Sequence, residues 1–74
     1  MFQKKKKKTI QIEGMHCMHC AKKVEEALQS LEEIKKAKVN LKTQEALIQF
    51  DHEIDEQKIK EIIEDLGYHV IQIQ

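Results

Sequence analysis

The stretch Ala37-Lys38-Val39-Asn40-Leu41-Lys42-Thr43-Gln44-Glu45-Ala46-Leu47-Ile48-Gln49-Phe50 decides the fold. Ala37, Val39 and Leu41 alternate with Lys38, Asn40 and Lys42. Ala46, Ile48 and Phe50 alternate with Glu45, Leu47 and Gln49. A period of two marks half-buried strands, because successive side chains leave a strand on opposite faces. Thr43 and Gln44 separate the two runs, so the pattern predicts an antiparallel hairpin. The turn lacks the Asn-Gly or Asp-Gly pair that best suits such a connection.

On both sides of this hairpin the period changes to that of a helix. Upstream, Cys20, Val24, Ala27, Leu28 and Leu31 draw one apolar stripe, which predicts a helix from Met18 to about Glu32. Downstream, Asp55 is a suitable N-cap and Glu56 suits the first helical turn. Ile59, Ile62, Ile63 and Leu66 form the expected buried stripe of that second helix, and Gly67 sits where a left-handed C-terminal cap belongs. Outermost lie two more strands. Lys8 to Glu13 alternates, with Ile10 and Ile12 on one side, and Tyr68 to Ile73 is rich in β-forming residues. In that last strand Val70 and Ile71 leave the register open. The order is βαββαβ. Two helices must cover one face of a four-stranded antiparallel sheet, which is the α+β, ferredoxin-like sandwich. In that arrangement the loops at Gly14–Cys20 and Gly67–Tyr68 share one end of the sheet.

A chain of 74 residues reads as a single domain, residues 1–74, with 1–7 a flexible basic N-terminus that includes most of the Lys4–Lys8 run. Hydrophobic residues at 41% suffice for one core, and charged residues at 35% suit a water-exposed surface. No apolar stretch approaches the ~20 residues of a membrane span. No apolar segment of ~7–15 residues follows the lysines as a secretory signal requires, so the expected location is cytoplasmic. A net charge of zero gives no bias toward nucleic acid. The chain has only two cysteines, and such a pair inside a cell reads as metal-binding or redox-active.

Residues 14–20 read Gly-Met-His-Cys-Met-His-Cys. Thiols at i and i+3, one in a loop and one in the first helical turn, can converge on one point. The partial positive charge of a helix N-terminus favours thiolates there. Two soft thiolates without a hard ligand suit Cu(I), which accepts low coordination, whereas Zn(II) seeks four ligands. Adjacent residues near a helix start point in different directions, so His16 and His19 are disfavoured as ligands beside the cysteines. His19 is expected to tune thiolate basicity or solvent access from outside the ligand set, with His16 alongside. His52 and His69 read as surface residues. Tyr68 is expected beside the metal loop, and Met18 is expected to be exposed rather than a ligand. Lys22 and Lys23 lie near the positive end of their helix, where acids are preferred. They would offset the −1 charge of a Cu(I) bis-thiolate or dock an acidic partner, or they form an ordinary solvated face.

With Val39-Asn40-Leu41, Phe50-Asp51 and Leu66-Gly67-Tyr68, this motif resembles the heavy-metal-associated domain family over about Thr9 to Val70. His19 and Tyr68 are most similar to the free-standing bacterial copper chaperones of the CopZ type. The resemblance implies that Cys17 and Cys20 bind the metal and that Met15 packs beneath the loop. The hairpin turn departs from the glycine-containing turn usual in the family. The expected function is a copper metallochaperone carrying one Cu(I) per monomer. It would pass the ion by thiolate exchange to a metal-binding domain of a copper-transporting P-type ATPase or to a copper-responsive repressor. A copper-bridged homodimer stays open. No nucleophile–base pair or cofactor loop is visible, so no enzymatic turnover is expected. The alternatives are a zinc, cadmium or mercury trafficking domain of the same fold, or a thiol–disulfide redox protein. The last is disfavoured by a chain without proline.

Overall fold

In the computed structural model, which describes residues 6–51 and 53–74, the two alternating runs form the expected hairpin. Its strands are β2 (Ile34–Asn40) and β3 (Glu45–Phe50), with Ala37 opposite Ile48 and Val39 opposite Ala46. The remaining elements are β1 (Lys6–Glu13), α1 (Met18–Gln29), α2 (Glu56–Asp65) and β4 (His69–Ile73). All strand pairs are antiparallel, in the order β2-β3-β1-β4. The architecture is the ferredoxin-like βαββαβ sandwich.

One apolar cluster joins the sheet to both helices. Ile10 and Ile12 of β1, Ala46, Ile48 and Phe50 of β3, Val24 and Leu28 of α1, and Ile59 and Ile63 of α2 are all buried in it. Register fixes which side chains face the helices. Ile10 stands opposite Ala46 and Lys8 opposite Ile48, so Lys8 shares the helix-bearing face. Its ammonium meets the Glu56 carboxylate at the start of α2 at 2.7 Å.

Several boundaries differ from the sequence expectation. β1 begins at Lys6, so Lys6 and Lys7, expected in the flexible stretch, pair with Phe50 and Gln49. Lys4 and Lys5 lie outside the described residues, as does His52. Helix α1 stops at Gln29 rather than near Glu32. Ser30 caps it, its hydroxyl donating to the Ala27 carbonyl at 2.6 Å. The chain then turns early because Ile34, 5% exposed, already belongs to β2 and the core. Leu41 leaves the strand for a four-residue turn, 41–44, in which the Asn40 side-chain oxygen accepts from the Lys42 and Thr43 backbone N–H groups. In α2, Leu66 is no part of the buried stripe. It is the C-cap and is 39% exposed, because the helix ends before that turn can face the core.

Two bulges interrupt the sheet, and both lie in pairings of an outer strand. One shifts the β2–β3 register between Ile34 and Lys36. The other shifts the β1–β4 register between Gln11 and Ile12. The second resolves the open register of β4, because Val70 pairs with Ile12 and is buried while Ile71 is pushed outward to 55% exposure. Gly67, at φ +98, reverses the chain after α2, a conformation that L side chains rarely adopt. Among the described residues no helix is long and apolar enough to cross a membrane.

Candidate metal centre

The loop between β1 and α1 begins at Gly14, whose φ of +108 turns the chain off the sheet. Met15 follows and is buried in the core cluster at 2% exposure, which anchors the loop from beneath. His16 and Cys17 are exposed, and Met18 opens the helix at 74% exposure. Cys17 is the N-cap of α1, with extended backbone and no side-chain capping hydrogen bond. Its sulfur is free of the helix and reaches toward Cys20, with Sγ atoms 3.7 Å apart. No disulfide joins the two cysteines; Cys17 is exposed and Cys20 half-buried against the core.

Tyr68 closes the site from the far end of the chain. The Gly67 turn brings it beside the loop, so that a side chain on Gly14 would lie 3.6 Å from the Tyr68 ring. The Tyr68 hydroxyl donates to the Cys20 sulfur. This bond is the largest cause of a Cys20 pKa lowered from 9.0 to about 7. The His16 backbone N–H and the Cys17 thiol lower it further, against a smaller opposing effect of burial. Each donor binds the thiolate better than the thiol, so each favours the anion. The reciprocal effect raises the Tyr68 pKa, because the sulfur holds its proton.

The structure thus gathers Cys17, Cys20 and Tyr68, with Met15 below. The His16 and His19 side chains are exposed. Among the described residues no third His, Cys, Asp or Glu joins the two cysteines in a cluster able to hold a metal ion. His69 is exposed and lies 3.5 Å from the Glu64 carboxylate. Lys22 and Lys23 are exposed on the first turns of α1. A donor set of two soft sulfurs, one biased toward the thiolate, fits a soft monovalent ion better than one that demands four ligands.

One residue that the sequence reading placed only in the hairpin turn belongs to this end of the molecule. The Gln44 side chain, from the β2–β3 turn, accepts from the Met15 backbone N–H at 3.1 Å and donates to the Met15 carbonyl at 2.6 Å. Its φ of +58 lies where glycine is usual, and the departure of this turn from the family's glycine-containing one was the signal in the sequence.

A family profile described as the heavy-metal-associated domain matches residues 9–69. A probable copper-exporting P-type ATPase of Archaeoglobus fulgidus is 46% identical over 68 residues, covering 90% of this chain but 8% of that protein. The copper chaperone CopZ of Enterococcus hirae is 36% identical over 63 residues, covering 84% of this chain and 91% of that one. A solved structure of a CopZ metallochaperone superposes with a TM-score of 0.83 at 34% identity, covering 89% of this chain and all of the other.

Proposed function

The chain belongs to the heavy-metal-associated domain family, and from that premise we propose that it is a copper metallochaperone, acting as one domain. Its cargo is one Cu(I), held between the Cys17 and Cys20 thiolates. The observation that carries this reading is the pair of unbridged sulfurs 3.7 Å apart at an exposed helix start, one of them drawn toward the thiolate by Tyr68. Likeness to CopZ chaperones, which this chain nearly spans, supports the same assignment.

Loading releases whatever protons the two thiols still carry, since only thiolates bind the ion. Transfer is ligand exchange. A partner's thiolate attacks the two-coordinate Cu(I) and gives a three-coordinate bridge. Exposed Cys17 departs first and takes up a proton or stays anionic. A second partner thiolate then displaces Cys20. Copper stays Cu(I) throughout, so the exchange needs no oxidant or reductant, and the chain works as a carrier, not a catalyst. The 46% identity to part of a copper-exporting ATPase supports a metal-binding domain of such an ATPase as recipient. Exposed Lys22 and Lys23 would offset the −1 charge of the loaded site and face an acidic docking surface.

The test is a pair of competition titrations, for Cu(I) and Zn(II) under reducing conditions, with stoichiometry by mass spectrometry. The expected result is one Cu(I) per monomer, bound many orders of magnitude more tightly than Zn(II). Zn(II) affinity within about a hundredfold of Cu(I) would replace copper with zinc or cadmium and make His16 and His19 ligands, because a four-coordinate ion needs them.

A further inference from the structure

Gln44 is the only non-glycine residue with positive φ among the described residues. Glycine or asparagine would adopt that conformation at lower cost. What the glutamine adds is contact. Its carboxamide makes three hydrogen bonds: from the Met15 N–H at 3.1 Å, to the Met15 carbonyl at 2.6 Å, and to the Leu41 carbonyl at 2.9 Å. Its own carbonyl accepts from the Ile12 N–H at 2.9 Å. One residue of the β2–β3 turn thus grips the chain on both sides of Gly14, the natural hinge of the loop.

We propose that Gln44 is a positioning residue for the metal loop, locking the Met15 main chain so that only residues 16 and 17 move when the sulfur pair opens for copper. The inference rests on the reading of Cys17 and Cys20 as ligands. With thiolate–metal bonds of ~2.3 Å, sulfurs on opposite sides of an ion stand ~4.6 Å apart. The observed separation is 3.7 Å, so the pair must widen. Cys20 is held within α1 and half-buried against the core, while Cys17 is exposed and has no capping bond to break. Cys17 is therefore the sulfur that moves. Without the clamp, motion would spread back to Gly14, and more chain would have to be ordered each time the ion binds. With it, the loop is set before the ion arrives.

The variants are Gln44→Gly, which relaxes the backbone and removes the carboxamide, and Gln44→Asn, which tolerates the conformation but falls one methylene short of Met15. Amide hydrogen exchange in the metal-free protein reads the clamp directly, and competition against a Cu(I) chelator reads its consequence. In both variants the Met15 amide should exchange at least about tenfold faster while the β1–β3 amides keep their protection. Cu(I) affinity should fall roughly 3- to 30-fold, the equivalent of one or two hydrogen bonds of ordinary net strength. Unchanged Met15 exchange would overturn the proposal. So would faster exchange with Cu(I) affinity within twofold of wild type, or a general loss of protection or of fold in both variants, which would make Gln44 merely structural. Failure of the unaltered protein to bind Cu(I) would instead remove the metal reading, and the Met15 amide would still report on the clamp.

Discussion

At the start of α2 the Asp55 carboxylate accepts hydrogen bonds from the Gln57 and Lys58 backbone N–H groups at 3.0 and 3.4 Å, and Glu56 follows in the first turn. At the start of α1 the same position is held by Cys17, which makes no capping bond, and no acid follows it. A good N-cap is worth about 0.5–2 kcal/mol, so α1 forgoes stability that α2 keeps. The Lys8–Glu56 ion pair further fastens α2 to the sheet. The helix that carries the sulfurs has no side-chain cap at its N-terminus and is held instead by burial of Met15, Ala21, Val24 and Leu28. One helix start serves the fold, and the other serves the site.

The largest expected effect separates the two starts outright. Replacing Cys17 or Cys20 by Ser should abolish tight Cu(I) binding while circular dichroism stays native, because Cys17 is exposed and Cys20 lies only at the margin of the core. Chelator competition measures this, and near-native affinity in Cys17→Ser would break the two-sulfur reading. Next comes the anchored helix. Ile63 is fully buried, so Ile63→Ala should cost roughly 2–5 kcal/mol in chemical denaturation. A loss well under 1 kcal/mol would mean that α2 is not the fixed partner in the comparison.

A third test concerns charge at the sulfur. Tyr68→Phe removes the main cause of the lowered Cys20 pKa, so that pKa should climb from about 7 back toward 9.0. Ultraviolet thiolate absorbance against pH would follow it. Because the folded value lies below the unfolded one, the Cys20 thiolate adds stability fully above about pH 9. That contribution is lost as pH falls through about 7. Metal-free stability should therefore rise with pH across that window, and less so in Tyr68→Phe. An unmoved titration in the variant would show that Tyr68 is not the main cause of the lowered value.

The smallest effect sharpens the comparison most. Asp55→Ala should cost about 0.5–2 kcal/mol, whereas Cys17→Ser, which supplies a favoured cap, should gain part of that range. Thermal or urea denaturation of the metal-free proteins would show the opposite signs. A stability loss in Cys17→Ser would mean that its thiol already supports the helix.

These contrasts were unevenly visible in the sequence. Alternation in β1 and β3, the Asp55 cap and the Gly67 reversal are local signals, and each names its own structure. The start of β2 was hidden by its bulge. Ile34 and Ala37 are both buried, three apart, with Lys35 and Lys36 exposed between them, so the period of two disappears. Leu66 looked like stripe because periodicity does not register where a helix stops. At the site, the two cysteines and Tyr68 were legible because motif and topology place them at one end. That Tyr68 is the largest influence on Cys20 depends on a hydrogen bond, which spacing does not encode. Gln44 was missed because a polar residue in a turn looks ordinary until its side chain is seen reaching 29 positions back to Met15.

The two bulges bear on how copies of this chain behave together. A net charge of zero provides no long-range repulsion between molecules. Outer strands with unpaired N–H and C=O groups are templates for sheet growth and aggregation. Here β2 and β4, the two flanks of the sheet, each lie in a bulged pairing, while the central β1–β3 pairing runs unbroken. Bulges twist an edge out of register with an incoming strand. On β2 the exposed Lys35, Lys36 and Lys38 add charge where such a strand would dock. The flanks are thus made poor surfaces for self-assembly.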